Sequence, residues 1–263
     1  MPSPKSSQSC NKSMAISIKT DEEMELMRQS GKILGQVLEA VLEKAKPGIS
    51  TYELDQFAEQ MILDLGGKPG FKGFHGYPAT LCTAIDEVIV HGIPRKDEFL
   101  KEGDLFTADC GVNLKGMNTD AARSIVIGTG DDETNRLIKD AYRILDLAIE
   151  QVKPGNRISD ISKTIDQLVN DAGYFIIEEL TGHGIGKSLH EDPVIPNYWD
   201  GSEGPLMKAG MTIAIEPIFA LGTAEMRTLD DNWTIVTADG SKSIQVEQTV
   251  AITQNGYEIL TKV

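Results

Sequence analysis

The chain has 263 residues, 40% hydrophobic and 25% charged, which allows one large or two small domains around a substantial core. Its net charge of −15 argues against nucleic acid, whose phosphates demand a basic face, and no Lys/Arg cluster supplies one locally. No apolar run is long enough to span a membrane and no signal-peptide core follows the start, while Cys10, Cys82 and Cys110 form an odd set without a CxxC, so a reducing cytoplasm is the expected compartment.

Residues 1–13 are Ser/Pro/Lys-rich and aperiodic, and read as a disordered leader, with Met14 as an alternative start. From Thr20 the pattern is helical. Met24, Met27, Gly31, Leu34, Leu38 and Val41 recur at helical spacing, Thr20 or Asp21 can cap, and Asp21, Glu22 and Glu23 suit the first turn. Lys46-Pro47-Gly48 stops this helix. Ser50 with Glu53 forms a capping box for a second, whose inner face is Leu54, Phe57, Ala58, Met61 and Leu65 and whose end is Gly66-Gly67. A loop rich in glycine and aromatics covers 70–80, followed by short strands at 81–85 and 88–90 that close on His91-Gly92-Ile93-Pro94.

A hairpin is expected from Asp104 to Ile127, turning at Asn113-Leu114-Lys115-Gly116. Folding about the Leu114–Lys115 midpoint sets Asp109 opposite Asp120, with Cβ atoms about 4.5–5.5 Å apart. Two carboxylates so placed among Phe106, Ala108 and Ala121 repel, and a divalent cation reverses that sign; a solvated acidic hairpin is the competing reading. Thr129-Gly130-Asp131 leads into a third helix through Ala141, Leu145, Ala148 and Val152, which ends on Lys153-Pro154-Gly155.

That ending repeats the first half. An offset of 107 lays Pro47-Gly48 on Pro154-Gly155, Leu54 on Ile161, Met61 on Leu168, Gly66 on Gly173 and Asp109 on Glu216, without a gap. The expectation is one domain over 14–263 with related halves, about 20–128 and 129–263, each of two helices then antiparallel strands. A shared core then brings Asp109 and Glu216 to a pseudo-twofold axis. Glu216 and Glu247 lie in apolar strands where an unpaired carboxylate is costly. His183 sits between glycines in an exposed-looking turn or strand end, with His190 seven residues on. Two Asp, two Glu and one His suit a pair of divalent ions better than one tetrahedral zinc, and such a pair can activate a water for hydrolysis. None of the four histidines (His75, His91, His183, His190) lies on a helix face, and those left uncoordinated can donate hydrogen bonds or shuttle protons.

Gly73-Phe74-His75-Gly76-Tyr77-Pro78, Glu87 to Pro94, Asp109 with Asp120, Gly182-His183-Gly184-Ile185-Gly186, His190-Glu191, Ile215-Glu216-Pro217 and Glu247-Gln248-Thr249 together resemble the type I methionine aminopeptidases, over essentially the whole chain from Met14. The resemblance implies an α/β chain of the α+β kind in the pita-bread (creatinase/aminopeptidase) fold, two pseudo-symmetric halves with antiparallel sheet covered by helices. It implies a dinuclear metal site of Co, Mn, Fe, Zn or Ni and removal of the initiator methionine from nascent polypeptides, preferably before a small residue. By similarity Asp109 holds one ion, Asp120 and Glu247 bridge, and His183 with Glu216 hold the other. Glu216 also serves as acid and base, His190 donates to the carbonyl oxygen and His91 contacts the released amide. Phe71, Phe74, His75, Tyr77, Cys82, His91, Leu189, His190 and Trp233 fall on the methionine pocket. Implied partners are nascent N-termini and a transient ribosome contact, with no specific nucleic acid or membrane, for a monomer.

Several positions depart from the family pattern: Gln248 for a histidine, Asp86 for asparagine, Asn118-Thr119 before the second aspartate, Phe71 for a cysteine and Leu189 for an aromatic. None removes a ligand of the implied set. Gln248 removes an outer partner whose loss weakens metal affinity or activity. The rival readings are an Xaa-Pro aminopeptidase of the same fold, against which the lack of a large N-terminal domain counts, and a non-catalytic binding homologue, which should have lost ligands.

Overall fold

The computed structural model describes residues 16–262; the expected leader at 1–13 and the alternative start at Met14 lie outside them. The first half runs α1 (Asp21–Lys44), α2 (Thr51–Asp64), β1 (Lys68–Pro69), β2 (Leu81–Ile85), β3 (Val88–Val90), β4 (Leu105–Leu114) and β5 (Met117–Val126). The second runs α3 (Asp132–Ile149), α4 (Ile158–Ala172), β6 (Phe175–Ile176), β7 (Thr181–Gly184), β8 (Glu191–Pro196), β9 (Thr212–Ile215), β10 (Ile218–Ala220), β11 (Met226–Thr228), β12 (Ile235–Thr237), β13 (Ser243–Gln245), β14 (Gln248–Thr253) and β15 (Gly256–Ile259).

The helix starts follow local chemistry. Thr20 and Glu23 close a capping box on α1, and Ser50 and Glu53 close another on α2. Met24, Met27, Leu34, Leu38 and Val41 are buried, as their spacing requires. On α2, Leu54 and Ala58 are buried, but Leu65 is the capping residue beyond the last turn and is 40% exposed. It therefore does not belong to the inward face.

All strand pairing among the described residues is antiparallel. β4 pairs with β5 along one edge and with β2 and β1, end to end, along the other, while the second half builds a five-stranded sheet in the order β15-β14-β9-β7-β8. The offset of 107 recurs in the backbone hydrogen bonds. Gly48 N–H to Leu100 O answers Gly155 N–H to Met207 O, and Gly70 N–H to Gly111 O answers Ile177 N–H to Ile218 O. The isolated bridge Ser50 with Phe99 likewise answers Arg157 with Leu206. Each half encloses its own apolar core, the first around Leu34, Leu54 and Phe106, the second around Leu145, Ile165 and Phe219. The halves meet along β5: Ala122 O accepts Glu247 N–H at 3.0 Å, and Gln245 O accepts the Ser124 hydroxyl at 2.6 Å.

The hairpin register differs from the expected one. Leu114 pairs with Met117, so the turn is the two residues Lys115-Gly116, with φ of 51° and 91°. That is the primed turn whose twist matches the strands. Asp109 therefore faces Ala122, and Asp120 faces Gly111. The slip keeps parity, so both aspartates stay on one face as diagonal neighbours, about 7–8 Å apart at Cα.

Candidate metal centre and cleft

Register alone gathers the donors. His183 pairs with Ala214, which pairs with Thr249. Glu216 and Glu247 lie two residues from these on their strands, and so project from the same face as His183. Both glutamates sit at breaks, Glu216 between β9 and β10, where Pro217 has no N–H to continue the ladder, and Glu247 between β13 and β14. Thr249 binds this face to the first half, its hydroxyl lying 2.7 Å from Asp120 O and 2.9 Å from Asp120 N.

One donor atom each from Asp120, His183 and Glu247 lie within 4.8 Å of one another. Glu216 Oε1 is 3.6 Å from His183 Nε2, and Asp109 contacts Asp120. Three of the five residues expected at the centre thus meet, with Glu216 beside them through His183 and Asp109 through Asp120. His183 is buried rather than exposed, because β7 lies inside the sheet between β8 and β9. Its flanking glycines are required there: a Cβ on Gly182 would strike Ala214 O, and one on Gly184 would strike Asp192 O. The Nδ1 of His183 lies 2.9 Å from Gly184 O, so the proton sits on Nδ1 and the Nε2 lone pair faces the carboxyls.

The electrostatics are those of a cation site. Burial first, then mutual repulsion, pushes Asp120, Glu216 and Glu247 well above the ordinary carboxyl range, and burial lifts Asp109 to about 7. Burial lowers His183 to about 3, which keeps it neutral. Asp109 Oδ1, Asp120 Oδ1 and Glu247 Oε1 are buried without a hydrogen-bond partner. Unsatisfied carboxylate oxygens around a free imidazole nitrogen fit a divalent metal ion and little else.

Above the cluster opens a cavity of about 610 Å³ lined by every residue expected at the pocket: Phe71, Phe74, His75, Tyr77, Cys82, His91, Leu189, His190 and Trp233. Cys82 faces Asp109 across the β2–β4 ladder, which places the thiol beside the carboxyls. The Tyr77 hydroxyl is anchored by Leu81 O and Gly92 O, and its ring meets Trp233 edge-on at 5.1 Å. Trp233 sits in the β11–β12 turn, where Asp231 accepts from the N–H groups of Trp233 and Thr234. His190 is wedged between Phe74, at 5.3 Å, and His183, at 4.3 Å. Burial lowers the pKa of His190 and His91, so both are neutral near pH 7 and each can offer one N–H.

Gln248 turns away from the cluster: its Oε1 accepts from Arg123, whose guanidinium also donates to Glu247 O at 2.7 Å. The substitution thus builds an arginine brace behind Glu247 instead of leaving a gap. The residue sequence reasoning missed is Gln245, which lines the cavity and donates to Glu216 Oε2 at 3.4 Å. It faces Ile218 as Asp120 faces Gly111, and Gly111 and Ile218 are equivalent across the halves. Gln245 is the second half's counterpart of Asp120. The offset hid it because the first hairpin turns in two residues and the second carries β11 and β12 between its strands.

A profile of metallopeptidase family M24 matches residues 25–254. A methionine aminopeptidase of Clostridium acetobutylicum is 46% identical over 94% of this chain and 98% of its own. The crystal structure of methionine aminopeptidase from Thermotoga maritima superposes with a TM-score of 0.93 at 38% identity, over 94% of this chain and all of that one. Prolidase from Pyrococcus furiosus superposes less closely, with a TM-score of 0.77 at 26% identity, and this chain covers only 65% of it. With the pita-bread arrangement of paired halves and a metal-ligand cluster at their seam, the chain belongs to the type I methionine aminopeptidases of metallopeptidase family M24.

Proposed function

We propose that this protein removes the N-terminal methionine from newly made polypeptides, in the cytoplasm, with two divalent ions held by Asp109, Asp120, His183, Glu216 and Glu247. The observation that carries the reading is the set of buried, unpartnered carboxylate oxygens at the floor of a cavity walled by aromatic rings, a thiol and imidazoles. Four carboxyls and one imidazole exceed what a single tetrahedral ion takes. When bound, such ions polarise a peptide carbonyl and lower the pKa of an attacking water.

The chain's own groups supply the rest. Phe71, Tyr77, Cys82, Leu189 and Trp233 offer an apolar wall to a methionine side chain, and the rings suit its thioether at about 0.3–1.5 kcal/mol per contact. Glu216, at the floor of the cavity beside His183 and ionised once the metal ions are bound, takes the proton from the water and returns it to the leaving amide nitrogen. His190, neutral, donates its N–H to the carbonyl oxygen as negative charge develops there. His91, on the same wall beside Trp233, meets the nitrogen being released.

The test is cleavage of a Met-Ala-peptide by metal-free protein titrated with Fe(II), Mn(II) or Co(II), beside an Xaa-Pro dipeptide. Metal-dependent release of methionine, with little turnover of the dipeptide, is expected. No methionine release at saturating metal overturns the proposal, and faster turnover of the dipeptide replaces it with the prolidase-like reading.

A further inference from the structure

Lys19 lies outside the cleft yet is almost fully buried, its side chain 2% exposed. Its backbone is fixed by the donation of its N–H to Gly210 O at 2.8 Å and by the cap of α1 that starts at the next residue. The ammonium donates to Glu191 Oε2 at 2.7 Å, and the Glu191 side chain is itself only 11% exposed. The other oxygen, Oε1, accepts the Ser188 N–H at 3.0 Å. This closes a turn from Ser188 to Glu191 whose two inner residues are Leu189 and His190. The glycine at 186 leaves room for the lysine to cross behind this turn, since a Cβ there would crowd the Lys19 Cε and lie 2.8 Å from its Nζ. The opposite side is held by Asn118, which donates to Gly186 O at 2.8 Å and Lys187 O at 3.2 Å.

A buried ion pair is a weak source of stability, so its worth here lies in what it orders. Without the ammonium, the Glu191 carboxylate, which borders the cavity mouth, gains by turning to water. Ser188 then loses its acceptor and the turn loosens. We propose that Lys19 is a positioning residue for the reaction, holding His190 and Leu189 against the cleft through Glu191. The inference rests on the reading of His190 as donor to the carbonyl oxygen.

The experiment compares K19M, E191Q and the double variant, each loaded with Mn(II), on a Met-Ala-peptide. Amide hydrogen exchange of residues 186–191 is measured on the same proteins without metal. Each single change is expected to lower kcat at least tenfold with KM within threefold, because a donor used in the transition state is displaced. The double variant should be no worse than the poorer single one, since all three break one contact. Exchange over 186–191 should quicken while β5 is unchanged. A kcat within twofold of the parent, losses that multiply in the double variant, or unaltered exchange overturns the proposal. Should K19M not fold, E191Q decides alone, because its amide keeps the size of the side chain while its single acceptor oxygen cannot serve both the Lys19 ammonium and the Ser188 N–H. If the parent protein releases no methionine, the functional reading fails while the exchange comparison still judges whether the Lys19–Glu191 pair holds the turn.

Discussion

Glu216 answers two demands at one buried position. Its Oε1 stands 3.6 Å from His183 Nε2, and its Oε2 accepts from Gln245. An amide in its place keeps the shape and the hydrogen bond but cannot take a proton. Glu216→Gln should therefore lower kcat by about 10²–10⁴-fold, with KM for a Met-Ala-peptide changed little. Steady-state rates at saturating metal, with bound metal measured on the same sample, separate the lost proton transfer from a lost ligand. A variant within tenfold of the parent would show that another group moves the proton. Gln245 itself is neutral where its counterpart across the halves, Asp120, is acidic, which holds the cluster at four carboxyls.

Among the elements, the β4–β5 hairpin shows what a local pattern can and cannot tell. Asn113 to Gly116 announces a turn, yet Asp109 opposite Asp120 requires the strands to turn one residue earlier than they do. The choice was made by the right-handed twist of long strands, which selects the two-residue primed turn and is invisible in composition. Lys115 consequently occupies the left-handed region at φ 51°, where a Cβ is crowded and Asn is better tolerated. Lys115 is exposed, so Lys115→Asn should stabilise the fold by about 0.5–1 kcal/mol. The rise in Tm should be about 1–4 °C by calorimetry with activity unchanged; a fall would mean that the lysine makes a contact the turn needs. Helix caps at Thr20 and Ser50 were legible for the opposite reason, since each lies within four residues of its partner. The burial of His183 was not, because the glycines that signal a turn serve here to admit the backbones of β8 and β9.

At the scale of the whole molecule, the seam between the halves is where carboxyls accumulate, and that couples stability to pH and metal. In metal-free protein Asp109 is lifted to about 7, and Asp120, Glu216 and Glu247 stand well above the carboxyl range. Between the unfolded carboxyl value and these raised ones, the folded state binds more protons, so its stability falls as pH rises. The neutral, buried His91, His183 and His190 act the other way, since their lowered pKa values add stability as pH rises toward that of unfolded histidine, about 6.5. Above pH 8.5 the buried thiols of Cys82 and Cys110 begin to oppose folding too, because their pKa values are raised by burial. From pH 7 to 8.5 the carboxyls are therefore the groups that decide. One carboxyl kept protonated in the folded state through that window, while ionised in the unfolded chain, costs about 2 kcal/mol, or about 4–8 °C of Tm for a chain of this size. Metal-free protein should therefore melt lower at pH 8.5 than at pH 7. Excess Mn(II) should reverse the trend, because the ions bind the deprotonated carboxyls and compete with protons less as pH rises. Calorimetric binding in two buffers of different ionisation enthalpy should show protons released on metal uptake at pH 7. A metal-free Tm that holds level or climbs across the window, with no proton release, would mean that the four carboxyls are not confined together at the seam.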